Sequence, residues 1–149
     1  MTLSIREQAL AGLKAALDGI AGVPGLQVLR NEDTAVDRFP TLIQVDAEST
    51  QRVVERAAGV TVYALELVIE GYVSANLPAE TGPALSDLYA RAWQAAKGAE
   101  AAVAAIFEVR EGETTTALIR EDGVAPHAFF ALTVALSFGA RPDDPFTPA

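Results

Sequence analysis

The side chains best suited to chemistry are few and widely spaced. His127 is the only histidine, and the chain has no cysteine. A catalytic histidine needs a nucleophile or a carboxylate within hydrogen-bond reach. No nucleophile motif stands beside His127, which lies between Pro126 and a strand-like segment. We therefore interpret His127 as a solvated or capped side chain at the entry to a strand.

Two acidic segments have the oxygen ligands that calcium prefers. One is the loop with Asn31, Glu32, Asp33 and Asp37, and the other is the pair Asp143–Asp144. Neither has the twelve-residue spacing, turn glycine and final glutamate of a calcium loop. We expect a solvated loop and no metal site.

The remaining catalytic patterns do not occur in the sequence. Glu66 and Glu70 would share one face of a strand about 13 Å apart, too far for the paired carboxylates of a glycosidase. The glycines form neither G-x-x-x-x-G-K-[ST], nor G-x-G-x-x-G, nor G-x-S-x-G. The sequence predicts no catalytic residue and no cofactor, so we expect a protein that is not an enzyme.

Charge and hydropathy restrict the partners. The formal net charge is −9, from 11 basic and 20 acidic residues. Nucleic-acid binding needs a basic face, so we expect no direct nucleic-acid contact. The chain has no apolar run of about 18 residues and no signal-peptide pattern, so we expect no membrane association and a cytoplasmic location.

Hydrophobic periodicity defines the elements that position these residues. Helices are predicted over 4–21 and 82–97, and strands over 26–30, 41–46, 60–74, 106–111, 114–120 and 129–140. Gly112-Glu113 suits a two-residue hairpin link. Residues 47–59 fit a short helix or a long hairpin loop, and we favour the loop. Residues 76–82 are predicted as a linker loop, and 98–105 have no clear pattern.

Strand runs joined by short links indicate antiparallel pairing. The predicted fold class is α+β: a two-layer sandwich with a mostly antiparallel, mixed sheet and two main helices packed on one face. Residues 1–140 are expected to form a single domain. Residues 141–149, with three prolines and two aspartates, are expected to form an extended C-terminal tail.

The last predicted strand has two contrasting faces. Its even-numbered positions 130–138 are large and apolar and are expected in the core. Ala131, Thr133, Ala135 and Ser137 face the other way and are small and uncharged. A solvated strand usually carries charged side chains there. This face could meet a neighbouring subunit, or it could be a plain surface strand.

The order of elements carries a family resemblance. REQALAGLKAALDGI, RNEDTAVDRFPTLIQVDAE, VYALELVIEGYV, SDLYARAWQAA and ALTVALSFGARPDDPF together resemble the tail terminator, or tail completion, proteins of long-tailed bacteriophages, prophages and gene-transfer particles. Among these proteins, the sequence resembles the minor tail protein U group.

This resemblance implies a structural role. It implies a homo-oligomeric ring, expected to be a hexamer, that contacts the tail tube protein and the head–tail connector protein. Such a protein would assemble in the cytoplasm of the bacterial host and remain in the tail of the virion or virion-like particle.

The resemblance also implies three contact segments. These are Arg38-Phe39 before Pro40, a hairpin loop over 47–58 that contains Arg52 and Arg56, and the ending with Arg141, Asp143, Asp144 and Phe146. The prolines would keep that ending extended and ready to dock. Two other functions stay open: another neck (head–tail joining) protein, or a small α+β domain that binds an acidic or apolar small molecule between sheet and helices.

Overall fold

A computed structural model of the chain describes residues 2–33 and 35–148. They form two helices and six strands: α1 (Ile5–Asp18), β1 (Gln27–Arg30), β2 (Thr41–Ala57), β3 (Val60–Ser74), α2 (Pro78–Ala102), β4 (Ile106–Ile119), β5 (His127–Arg141) and β6 (Asp144–Pro148).

The strands form one mixed sheet in the order β1-β2-β3-β5-β4, with β6 paired to β5. β1 runs parallel to β2, and all other pairs are antiparallel. The buried side chains of both helices join one core cluster with the even-numbered positions of β5. The predicted α+β sandwich, with both helices on one face of a mostly antiparallel sheet, is confirmed.

Helix α1 begins and packs as its sequence predicts. The Ser4 side chain accepts a hydrogen bond from the Glu7 backbone N–H at 3.1 Å, which caps the first turn. Leu10, Leu13 and Leu17 form its buried stripe. The helix ends at Asp18, three residues before the predicted end.

The core lies between β5 and the helices. Phe130, Leu132, Val134 and Leu136 are fully buried on the helix side of β5. Gly71 of β3 lies opposite Phe130, and a Cβ at this position would come within 2.0 Å of the Phe130 ring. Glycine is therefore required here to let the ring pack flat against the sheet.

The loop predicted over 47–59 is wrong, because β2 continues to Ala57. Its distal part pairs with β3 from Thr50↔Glu66 to Ala57↔Val60, with irregularities between Val45 and Thr50 and between Val53 and Glu55. The chain turns at Ala58–Gly59, where Gly59 has φ +78°. β3 is long and offers backbone hydrogen-bond partners along its whole length. The distal residues of β2 therefore pair with it although they are mostly polar and lack an alternating hydrophobic pattern.

The linker predicted over 76–82 is limited to residues 76–77, and the predicted boundaries of the second helix are wrong. Helix α2 begins at Pro78, where the missing N–H costs nothing. It continues through Pro83 and through the alanine-rich residues 98–102, since alanine has the highest helix propensity. Thr81 lies inside the helix, and its hydroxyl donates to the Leu77 carbonyl oxygen at 3.1 Å.

The hairpin predicted around Gly112-Glu113 is a third error. β4 is one continuous strand along β5, with a register shift between Glu111 and Thr114. This is a bulge, and a Cβ on Gly112 would come within 3.0 Å of the Thr133 carbonyl oxygen.

The C-terminal segment is extended but not free. The chain turns after Arg141, and β6 pairs back onto the end of β5. The Asp144 carboxylate accepts hydrogen bonds from the Phe146 backbone N–H at 3.0 Å and from the Thr147 hydroxyl. The residues predicted as an extended tail therefore include a short strand paired with β5, and Ala149 lies outside the described residues.

Candidate functional site

The outer surface of β5 lies on the side of the sheet opposite the helices. Ala131, Thr133, Ala135 and Ser137 are half-buried there, as their alternation predicts. We call these four residues the open face. The structure brings them together in one row near the centre of the sheet.

Charged side chains border the open face on both neighbouring strands. Glu66 of β3 and Arg110 of β4 both lie opposite Ala135. Arg110 donates to Glu108 on its own strand at 2.8 Å. The open face is therefore a row of small side chains between charged ones, a shape that accepts another protein surface closely.

Arg52 and Arg56 lie on the distal β2–β3 hairpin, and both are exposed. Arg52 lies opposite Ala64, so the register places it on the side of the open face. Arg56 lies opposite Thr61, which the register places on the helix side. The two predicted contact residues therefore point to different sides of the sheet.

An ionic cluster holds the base of this hairpin. Arg30 donates to both oxygens of Glu7, at 2.7 and 2.9 Å, and to Asp46 at 2.7 Å. The hydrogen bond from Arg30 holds the pKa of Glu7 below its ordinary value. Burial would raise the pKa of Asp46, but hydrogen bonds from Arg30, Asn31 and Gln44 lower it overall.

Asn31 has a structural role in the same cluster. It adopts the left-handed conformation with φ 52°. Its Oδ1 accepts from the backbone N–H groups of Asp46 and Ala47, both at 2.8 Å, and its Nδ2 donates to Asp46 at 2.9 Å. Sequence reasoning missed this cluster because its members are far apart in the chain, and no local pattern marks them.

His127 belongs to an aromatic row at the other end of the sheet. Its ring stacks on Phe39 with centroids 5.5 Å apart and contacts Tyr72 at 6.0 Å. Tyr72 also stacks on Phe129 at 5.8 Å. The predicted contact residue Phe39 is thus half-buried against His127, and Arg38 beside it is exposed.

The row borders a groove of about 420 Å³. Glu70, Glu121, Tyr72 and His127 line it together with two further acidic residues, Glu32 and Asp33, and with apolar residues. Burial, with Glu70 close by, raises the pKa of Tyr72 to about 12. The His127 Nδ1 lies 2.9 Å from the Ala125 carbonyl oxygen. Ser, Thr, Cys and Lys do not occur among the described residues that line the groove.

A second cavity, of about 470 Å³, lies on the helix side. It is mostly apolar and is bounded by the start of α2, by residues 22–24 and by Phe39–Pro40. Within residues 2–33 and 35–148, no group of three or more His, Asp or Glu side chains is placed to hold a metal ion.

The remaining predicted contact residues lie at the C-terminal end. Arg141, Asp143 and Phe146 are exposed, while Asp144 holds the turn into β6. Arg141 ends β5 and His127 begins it, so this group lies about 45 Å along the strand from the Arg38–Phe39 segment. The predicted residues therefore form separate surfaces, not one site.

Comparison with known proteins found no matching family model and no matching curated protein. None of the helices in the described chain is both long and apolar enough to pass through a membrane.

Proposed function

We propose that this chain is a structural subunit of a phage-type tail, a terminator that forms a ring on the end of the tail tube and joins it to the head connector. The proposal takes its family from the resemblance of the element order. The open face is the observation that carries it: a central strand with small, uncharged side chains on the side away from the helices.

The geometry fits a binding role better than catalysis. The groove at His127 contains carboxylates and aromatic rings but, among its described residues, no Ser, Thr, Cys or Lys nucleophile. The chain would assemble with copies of itself in the cytoplasm of a bacterial host, expected as a hexamer, and then contact the tail tube protein and the connector. Another neck protein of the same fold class is the nearest alternative.

The test is loss of the gene in the strain that produces the particle. A terminator stops growth of the tube, so its loss should give tails of irregular, excess length without heads, visible by negative-stain electron microscopy. A plasmid copy should restore normal particles. Heads that are complete and joined to tails of normal length would contradict the proposal.

A small-molecule function is the second candidate, and the groove at His127 favours it. Its carboxylates and aromatic rings suit a cationic ligand rather than the acidic one considered from sequence. Thermal-shift screening against organic cations tests this directly. A rise in the melting temperature that His127→Ala and Glu70→Gln both abolish would support ligand binding.

A further inference from the structure

The outer edge of β2 is unpaired over its distal half. β1 pairs only with Thr41–Gln44, and the Asn31 side chain covers the N–H groups of Asp46 and Ala47. From residue 48 to 57, no strand of the described chain pairs with this edge. Ten residues of strand present about 30 Å of free backbone donors and acceptors.

The opposite edge of the sheet, along β4, is also open. At one point it is covered: the Val109 N–H donates to Glu100 at 2.9 Å, and Lys97 donates to the Val109 carbonyl at 3.1 Å. Beyond the bulge, Thr114–Ile119 is an uncharged run in which four of the six residues are β-branched, and its Leu118 is 50% exposed. Natural edge strands are protected by charged side chains, Pro, bulges or short length. The run Thr114–Ile119 has no charge and no Pro, so this stretch of the edge is typical of one that a partner covers.

The topology fixes how two copies could join these edges. β2, β3, β5 and β4 alternate in direction across the sheet, so β2 and β4 run in opposite directions. Copies related by rotation about an axis roughly along the strands keep their strands in the same directions. The β4 edge of one copy would therefore meet the β2 edge of the next in an antiparallel pair, a heterologous contact that can close into a ring.

Charges favour one register for this pair. With Glu55 beside Arg110 of the next copy, Arg52 lies at the Gly112–Glu113 bulge, so both contacts join unlike charges. A shift of two residues would bring Glu55 beside Glu108 in one direction and beside the bulge that carries Glu113 in the other. Like charges opposite each other destabilise a strand pair.

A closed ring of strands requires that the strands be offset along their length from one pair to the next, and this register provides such an offset. Within one copy, Thr50 is level with Arg110 through the pairs Thr50↔Glu66, Glu66↔Ala135 and Ala135↔Arg110. Placing Glu55 beside Arg110 therefore shifts each copy by about four or five residues over four strands. Eight-stranded barrels with a shear of eight have a similar ratio of residues shifted to number of strands.

From these observations we infer that adjacent subunits join by antiparallel pairing of β4, from Arg110 onward and beyond the covered Val109, with β2 of a second copy, with contacts Arg52–Glu113 and Glu55–Arg110. The inference deepens the proposed ring-forming function and rests on it. It makes the sheet continuous from one subunit to the next and leaves the open face available for other contacts.

Charge reversal on each edge tests the pairing. One variant carries R52E and E55R on β2, and the other carries R110E and E113R on β4. Each keeps the net charge, and each should weaken self-association roughly tenfold or more by placing like charges together. Mixing the two should restore association, since each altered edge then faces a complementary one. The variant with all four changes should assemble alone.

Native mass spectrometry and sedimentation velocity measure assembly, with and without the tail tube protein of the same particle. The matched control exchanges the ion pair Lys14–Asp18 on the solvent side of α1, where Lys14 is half-buried and Asp18 is exposed, as K14D and D18K, and should assemble normally. Thermal unfolding verifies that every variant is folded.

Three outcomes distinguish the inferred strand pairing from the proposed ring. Restoration by mixing supports the strand pairing. Assembly of wild type and of both edge variants alike overturns the pairing and leaves the ring standing. A wild-type chain that stays monomeric in every condition, tail tube included, overturns the ring and the pairing together.

Discussion

Arg30 links three separate parts of the chain through one side chain. Its guanidinium bonds both oxygens of Glu7 on α1 and the carboxylate of Asp46 on β2. A planar guanidinium can make such a forked contact, whereas a lysine ammonium acts as a single point charge. The cluster fixes the helix against the place where β2 leaves the core and becomes the free hairpin.

The two acidic partners of Arg30 should differ in their effect on stability. Asp46 has a side chain only 5% exposed, against 35% for Glu7. Asp46 accepts hydrogen bonds from Arg30, Asn31 and Gln44, and Asp46→Asn replaces one accepting oxygen with a donor that faces these donors. We therefore expect a loss of about 2–3 kcal/mol in the free energy of unfolding. Glu7→Gln is the matched control, with an expected loss of about 0.5–1 kcal/mol. Urea unfolding at neutral pH compares them; equal losses would contradict the assigned burial.

The pH dependence of stability has a defined sign. Both carboxyls have folded-state pKa values below their ordinary ones, so the folded state binds protons less readily than the unfolded chain. Their stabilisation is complete above the unfolded values of about 4 and is lost as pH falls through the folded values. Stability of Asp46→Asn should therefore fall less steeply in acid than that of the wild type.

The helices and strands show where the local sequence is sufficient to predict secondary structure. β3 has the bounds that its alternation predicts, and β5 differs by only one or two residues at each end. The prediction failed at 47–59, 78–82 and 112–113, where charged residues, prolines or glycines are typical of loops. There the outcome depends on a long partner strand or on a following helix, which are non-local features.

Some candidate surfaces could likewise be predicted from the local sequence, and others depend on the fold. The open face was predictable because a period of two is visible within β5 alone. The Arg30 cluster, the groove at His127 and the two unpaired edges depend on which segments the topology brings together. The fold of the last residues was missed because prolines are uncommon in strands, although short edge strands such as β6 tolerate them.

Strand β6 should contribute modestly to stability. Its side chains are mostly exposed, and only two pairs join it to β5. Deletion of residues 142–149 should lower the free energy of unfolding by about 1–2 kcal/mol, the net value of a few hydrogen bonds. Phe146→Ala, at a side chain 50% exposed, should change it by less than about 0.5 kcal/mol. Urea unfolding measures both, and a loss above about 3 kcal/mol on deletion would make β6 part of the core.

At the scale of the whole molecule, the sheet has two different faces. Both helices seal the face that carries the core residues of β5, and the other face combines small central side chains with a charged border. Strand edges and open face point in different directions. In the proposed ring, one subunit would therefore meet its neighbours through the edges and still offer a separate face to the proposed tube or connector partner.

Ala135 lies at the centre of the open face and tests its role. It is half-buried between Glu66 and Arg110, so Ala135→Arg adds a long charged side chain on the side away from the core. We expect the free energy of unfolding to change by less than about 1 kcal/mol. Binding to the proposed tube or connector partner should fall roughly tenfold or more, because a buried unpaired charge disfavours a close contact. Ala135→Ser keeps the side chain small and should preserve binding. Co-sedimentation with assembled tails, beside urea unfolding, measures both quantities. Normal binding by folded Ala135→Arg would mean that this face is simply solvent-exposed, and binding would then have to use the hairpin or the C-terminal end.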